Sequence, residues 1–218
     1  AKELLDKGEH ICKICSKKQI FIKEPTCYSC GKSMKNQEKE YCSDCRQHPK
    51  NFERGMGLCI YQKPVTDSLA AIKYKNERKF AKYYLEEIQK RKYRDLLQLK
   101  IDVIIPVPIH RKKRRKRGFN QAEEFGKRLS HYLEIPMNSS LLIRSKKTVP
   151  QKDLGPALRL KNLEQAFSCR KLPYRMKKVL LIDDIYTTGS TAEACSRALK
   201  KAGAEQVFLL VIATSSNR

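Results

Sequence analysis

Residues 179–191, VLLIDDIYTTGST, constrain this chain more than any other stretch. Four aliphatic side chains in succession, Val179, Leu180, Leu181 and Ile182, leave no polar face for water, so they read as a strand buried on both sides of a sheet. Two carboxylates, Asp183 and Asp184, follow at its carboxyl end. Thr187, Thr188, Gly189, Ser190 and Thr191 come next, and a helix runs from about Thr191 to Ala202 before Gly203 ends it. A strand that hands over to a helix is where α/β sheets place ligands, because the first helical turn offers N–H groups that no carbonyl takes. Gly189 lets the backbone curl close, and the Thr and Ser hydroxyls add donors, which together make a cradle for a monoester phosphate. Carboxylates beside that cradle would repel the phosphate unless they serve something else; ribose hydroxyls or a magnesium shell are the natural candidates. The loop therefore describes a ribose phosphate. The plainer alternative is a buried strand with an acidic, Thr-rich turn.

The rest of the chain repeats this grammar. DVIIPVP (102–108) reads as a buried strand, NQAEEFGKRLSHYLE (120–134) as an amphipathic helix, LLIR (141–144) as a short strand and QVFLLVIAT (206–214) as a last strand. Upstream, LCIYQ (58–62) reads as a short strand. Pro64, Asp67 and the run to about Arg91 read as helix, with apolar residues at Leu69, Ile72, Phe80, Tyr84, Leu85 and Ile88. Aliphatic strands alternating with helices give an α/β fold with a parallel sheet covered on both faces. The length of 218 residues suits one medium domain and a small appendage, expected as residues 56–218 and 1–55.

A segment that follows a neighbouring parallel strand would open at the same sheet edge. After the strand at 102–108 come seven consecutive basic residues, Arg111 to Arg117. They belong either to a solvated charge run or to a surface that meets an anion, since seven like charges repel one another. Arg117, Gly118, Asn120 and Gln121 start the next helix. If the anion is a nucleic-acid backbone, Arg114, Arg115 and Arg117 are the candidate contacts and binding weakens steeply with salt. The polar stretch 144–167 is long for an ordinary connection, and long loops in α/β domains are commonly lids. Thr148, Gln151, Arg159 and Asn162 are its candidate working residues, with an ordinary surface loop as the alternative.

Six of the nine cysteines lie in residues 12–45 as three CxxC pairs, Cys12/Cys15, Cys27/Cys30 and Cys42/Cys45. Two such knuckles complete a closed tetrahedral zinc site. The redox use of CxxC needs a βαβ setting that this region lacks. Three pairs leave a remainder: Cys12 and Cys15 are orphaned or compete for Cys27 and Cys30. Cys59, Cys169 and Cys195 stand alone and read as core residues.

The run at 179–191 resembles the thirteen-residue signature of type I phosphoribosyltransferases: four hydrophobics, two acids, two variable residues, then TTGST. The resemblance implies that phosphoribosyl pyrophosphate (PRPP) is the ligand. Asp183 and Asp184, the candidate catalytic pair, would then hold the ribose 2′ and 3′ hydroxyls, and Thr187, Thr188, Gly189, Ser190 and Thr191 the 5′-phosphate. His110 and Arg111 would lie in the pyrophosphate loop, and 144–167 in the position of the flexible hood. The IPVP (105–108) and RGFNQ (117–121) runs, the TxxQ and RxxN pairs, and Tyr61, Pro64, Val65, Ile72, Lys73, Tyr74 and Arg78 extend the likeness. Together they look like the ComF family, competence-associated proteins that join an amino-terminal zinc ribbon to a phosphoribosyltransferase domain. That resemblance selects Cys27, Cys30, Cys42 and Cys45 as the structural zinc ligands. It also implies Mg²⁺ with PRPP, single-stranded DNA as a partner during natural transformation, and competence helicase or translocation proteins as further partners.

The formal charge of +24, from 47 Lys and Arg against 23 Asp and Glu, agrees with phosphorylated or polyanionic partners. No window approaches 18 uncharged apolar residues, so no spanning helix is expected. With CxxC spacing that suits thiolate ligation and no signal peptide in view, the expected compartment is the cytoplasm. A nucleic-acid-binding adaptor with a vestigial phosphate loop is a third reading, against which the intact Asp183/Asp184 pair counts; two functions stand ahead of it. One is a PRPP- and DNA-binding uptake factor; the other is an active phosphoribosyltransferase of nucleotide salvage or amine transfer, for which no acceptor pocket is recognisable.

Overall fold

A computed structural model of the chain describes residues 17, 21–144 and 166–216. Among these residues a four-stranded sheet forms from β1 (Arg54–Ile60), β2 (Val103–Pro106), β5 (Lys178–Tyr186) and β6 (Gln206–Thr214) in the order β1-β6-β5-β2, and every pairing is parallel. A second, two-stranded antiparallel sheet pairs β3 (Leu142–Arg144) with β4 (Phe167–Cys169). The helices are α1 (Ser43–Gln47), α2 (Val65–Lys75), α3 (Lys79–Gln98), α4 (Arg111–Arg117), α5 (Gln121–Leu133) and α6 (Ser190–Lys201).

The aliphatic strands divide their side chains between two cores, as a sheet covered on both faces requires. Val179, Leu181, Val207, Leu209 and Val211 point to one face, where α6, the β3–β4 pair and the cysteine-rich segment cover them. Leu180, Ile182, Phe208, Leu210 and Ile212 point to the other, covered by α2, α3 and α5. Each such buried aliphatic side chain contributes about 1.5–3 kcal/mol, so the central strands β5 and β6 dominate stability. Asp102 fixes the β2–β5 register by accepting from the backbone N–H groups of Lys177 (2.9 Å) and Lys178 (2.7 Å).

Helix α5 shows why its sequence is helical. Asn120 caps it by accepting from Ala122 N at 3.2 Å, while its amide donates to Val107 O at 2.9 Å, tying the helix start to the end of β2. Ala122, Phe125, Leu129 and Leu133 then repeat at helical spacing on the buried face.

Several boundaries differ from the sequence expectation. The helix expected from Pro64 to Arg91 is two helices, because Asn76 takes a left-handed conformation (φ 56°) that ends α2. The strand expected at 58–62 begins earlier, at Arg54, and residues 54 and 55 thus belong to β1. The strand expected to stop at Asp183 continues to Tyr186. Strand β4 was not expected: three residues of mixed character carry no periodic signal. The seven basic residues form helix α4 rather than a loop; His110 Nδ1 accepts from Lys112 N at 3.2 Å, and Gly118 (φ 79°) closes the helix. Thr148, Gln151, Arg159 and Asn162 lie outside the described residues, as do Cys12 and Cys15.

Candidate functional site

The parallel order places the carboxyl ends of β2 and β5 side by side, with Pro106 opposite Ile182 and Val107 N donating to Ile182 O at 2.8 Å. Helix α4 and the acidic pair therefore open at one sheet edge, where α/β folds bind ligands.

At that edge Asp183 and Asp184 are half-buried in the last part of β5. Asp184 N donates to Asp183 Oδ1 at 2.9 Å. The strict two-residue alternation of β5 breaks here: Val179, Leu181 and Tyr186 share one core, and Leu180, Ile182 and Ile185 the other. Burial first, and the charge of Asp184 second, raise the Asp183 carboxyl well above the usual carboxylate range. Lys73, from α2, forms an ion pair with Asp184.

The turn beyond the acids is built as the composition implied. Gly189 (φ 78°) is the left-handed residue that caps α6, Glu193 N donates to Gly189 O at 2.8 Å, and Thr188 Oγ1 lies 3.0 Å from Ser190 Oγ. Thr187 and Thr188 are exposed, while Ser190 and Thr191 are half-buried. Ser215 Oγ donates to Thr187 O at 3.2 Å, so the end of β6 holds the turn from one side. Asp183, Thr187, Thr188, Gly189, Ser190 and Thr191 line one recess of about 30 Å³.

Cations surround the pair. Burial lowers the pKa of Arg144, at the end of β3, while the neighbouring Asp183 opposes that shift. Lys113 in α4 is lowered first by loss of water contact and then by the charges of Arg144 and Arg117. Lys73 and Arg144 thus stand beside two carboxylates, one of them reluctant to ionise, with Lys113 close enough to both cations to feel their charge, leaving an excess of positive charge that a polyphosphate would neutralise. Two of the three arginines considered for nucleic-acid contact already hold partners within the chain. Arg114 makes a two-pronged bond to Glu123 (2.5 and 3.0 Å), and Arg117 reaches Gln121 Oε1 (3.2 Å) and the Tyr74 hydroxyl (3.3 Å). Arg111, Lys112, Arg115 and Lys116 have no ion pair among the described residues and face solvent; His110 is half-buried at the helix cap.

Sequence reasoning missed Lys73 and Arg144 as neighbours of the acidic pair, because helix α2 and strand β3 reach that edge only through tertiary packing. It also passed over Tyr186, one of the two variable positions in the 179–191 run, and Glu193, which is buried in the first turn of α6 and accepts from Asn51 N at 2.9 Å.

On the cysteine-rich side, Cys27, Cys30, Cys42 and Cys45 are buried, and their sulfur atoms all lie within 4.8 Å of one another. Cys30 Sγ and Cys42 Sγ are 3.8 Å apart. A tetrahedral zinc with Zn–S bonds of about 2.3 Å demands sulfur–sulfur edges of about 3.8 Å, so the quartet fits that ion. Each knuckle is shaped by a backbone bond, Gly31 N donating to Cys27 O (2.8 Å) and Arg46 N to Cys42 O (3.0 Å), and Cys42 N joins the two by donating to Cys27 Sγ (3.3 Å). Cys59 and Cys195 are buried core residues, and Cys169 is half-buried in β4.

Comparison with known proteins agrees with both halves. Residues 2–46 match the double zinc ribbon domain family, and residues 83–218 match the phosphoribosyl transferase domain family. The chain is 32% identical over 209 residues to competence protein F of Haemophilus influenzae, covering 91% of this chain and 90% of that protein. It is 29% identical over 201 residues to DNA utilization protein YhgH of Escherichia coli strain K12, covering 90% and 87%. It is 24% identical over 209 residues to competence protein ComFC of Bacillus subtilis, covering 92% and 82%. Among the described residues no helix is long and apolar enough to cross a membrane.

Proposed function

We propose, from the premise that this chain belongs to the competence protein F family and carries a phosphoribosyl transferase domain behind a zinc ribbon, that it binds PRPP with Mg²⁺ and single-stranded DNA in the handling of incoming DNA. In this proposal residues 1–55 are the metal-bearing part and 56–218 the ligand-bearing part, acting in the cytoplasm alongside competence helicase or translocation proteins. One observation carries the reading: an acidic pair stands directly before a hydroxyl-lined, Gly-capped helix start, on the same sheet edge as helix α4.

In that reading Thr187, Thr188, Gly189, Ser190 and Thr191 receive the 5′-phosphate, and Asp183 and Asp184 orient the ribose hydroxyls. Bound Mg²⁺, an oxygen-seeking ion suited to these carboxylates, would neutralise pyrophosphate charge. His110 and Arg111 approach the pyrophosphate from α4, while Lys73, Lys113 and Arg144 supply fixed positive charge where a leaving pyrophosphate would build negative charge.

Calorimetric titration of PRPP with Mg²⁺ is expected to give saturable binding that falls at least about 100-fold in Asp183→Asn and Asp184→Asn, the scale on which losing a paired charged contact costs roughly 3 kcal/mol. Equal heats from wild type and variants would refute the reading.

For DNA, the solvent-facing cations of α4 are the relevant ones. Arg115→Ala is expected to weaken single-stranded DNA binding uniformly across sequences and to reduce the slope of log affinity against log salt by about 0.7. Arg114→Ala also frees Glu123, and so lowers stability as well as affinity. An unchanged salt slope in Arg115→Ala would move DNA off this helix.

A further inference from the structure

The phosphate turn is braced from behind by the metal-binding segment. Tyr186, the last residue of β5, is 2% exposed; its ring meets Phe52 edge-on at 6.4 Å, and Lys32 Nζ stands 5.5 Å from its centre. Both neighbours belong to the cysteine-rich side, and the four sulfur-bearing residues share one packed cluster with Phe52 and Tyr186. On its other flank the Tyr186 hydroxyl occupies the place of a side chain at Gly189: a Cβ built there would lie 2.3 Å from the oxygen. That hydroxyl has no hydrogen-bond partner among the described residues, so what holds it in place is packing. A second tie runs parallel, since Asn51 donates from its backbone N–H and its amide to Glu193 in the first turn of α6.

The ring therefore fills the space between the cysteine quartet and the left-handed turn. Four sulfurs within 4.8 Å of one another hold together well only around a cation. Removing it loosens the knuckles that position Lys32 and the chain leading to Phe52, and the packing that presses Tyr186 beneath Gly189 slackens with them. We infer that Tyr186 is a positioning residue through which metal occupancy of the cysteine quartet sets the shape of the phosphate turn, so that zinc binding and phosphate binding are linked. The linkage presupposes that residues 187–191 bind phosphate as proposed above. Coupling of this kind is reciprocal: a phosphate that orders the turn must tighten the zinc by the same factor that zinc tightens the phosphate.

The test uses the zinc-loaded full chain with ribose-5-phosphate as probe. Zinc affinity is measured by competition with a colour-forming chelator, with and without the probe, and probe affinity by calorimetry. In wild type the saturating probe raises zinc affinity about tenfold, within the usual range of such couplings. Tyr186→Leu keeps the wild-type zinc content, binds the probe about tenfold more weakly, and shows less than about a twofold shift in zinc affinity. Tyr186→Phe, which keeps the ring, retains the wild-type shift. Phe52→Leu leaves Tyr186 in place but removes its edge-on neighbour, and reproduces the loss should Tyr186→Leu not fold. Probe binding without any zinc shift in wild type, or a full shift surviving in both Tyr186→Leu and Phe52→Leu, overturns the linkage alone. A wild type that does not bind the probe overturns the phosphate reading together with it.

Discussion

Gly189→Ala is expected to reduce PRPP affinity by at least about 100-fold and to destabilise the chain by roughly 3 kcal/mol. Two costs add. The residue sits at φ 78°, where any side chain strains the backbone by about 1–2 kcal/mol. The new methyl would also lie 2.3 Å from the Tyr186 hydroxyl and 2.6 Å from its ring carbon Cζ, and overpacking of a filled site costs about 1–3 kcal/mol. Either the tyrosine ring or the turn must move. If the turn opens, the N–H groups of Ser190 and Thr191 no longer converge, and the phosphate loses them together. Melting should drop by about 6–12 °C for a chain of this size, and calorimetry reads the affinity. Combining Gly189→Ala with Tyr186→Leu should cost less stability than the two single changes summed, because removing the ring removes the clash but not the backbone strain. Wild-type affinity in Gly189→Ala would mean that the phosphate is not held by this turn.

The contrast between Gly189 and Tyr186 shows what sequence can and cannot reveal. Gly189 was legible because its conformation is a local matter: a strand that turns sharply into a helix favours a residue free to take positive φ, and its neighbours Thr187 to Thr191 announce the same turn. The aliphatic runs of β5 and β6 were legible for the same reason, since a strand buried on both faces cannot afford polar residues. Tyr186 was not legible. Alternation assigns it to the face of Leu180 and Ile182, but the break at Asp183–Asp184 turns it to the opposite core, against Phe52. Lys73 and Arg144 escaped because their position beside the acids depends on how α2 and β3 pack, which no spacing along the chain encodes. The basic run misled in a more instructive way. The resemblance placed its start in a loop, yet Arg and Lys are good helix formers, and a His cap, a closing glycine and the Glu123 carboxylate hold one short helix. The cysteine quartet lay between these extremes: spacing supplied three candidate pairs, and among the described residues two of them converge in three dimensions.

Stripping zinc from the quartet is expected to destabilise the whole chain rather than the cysteine-rich segment alone. Cys27, Cys30, Cys42 and Cys45 are not set apart on a tether; they pack in one cluster with Phe52, Tyr186 and the Val179–Leu181 face of the central sheet. The knuckle also meets β1 backbone to backbone, since a Cβ at Gly31 would lie 2.5 Å from Gly55 O and one at Gly55 would lie 2.7 Å from Ser29 O. Contact that close leaves no slack for the knuckle to change shape independently. A four-thiolate zinc site is worth about 10 kcal/mol or more to a small domain, while the net stability of a folded domain is only about 5–15 kcal/mol. The loss is therefore of the same order as everything else that holds the fold. A chelator strong enough to remove the ion, or Cys42→Ser, should lower the melting temperature by more than about 10 °C. It should also speed hydrogen exchange at amides of β5 and β6, far along the chain from the cysteines. Exchange that quickened only near residues 27–47 would show that the sheet stands without its metal-bound cover, and unchanged melting after complete zinc release would show that the quartet does not support the fold.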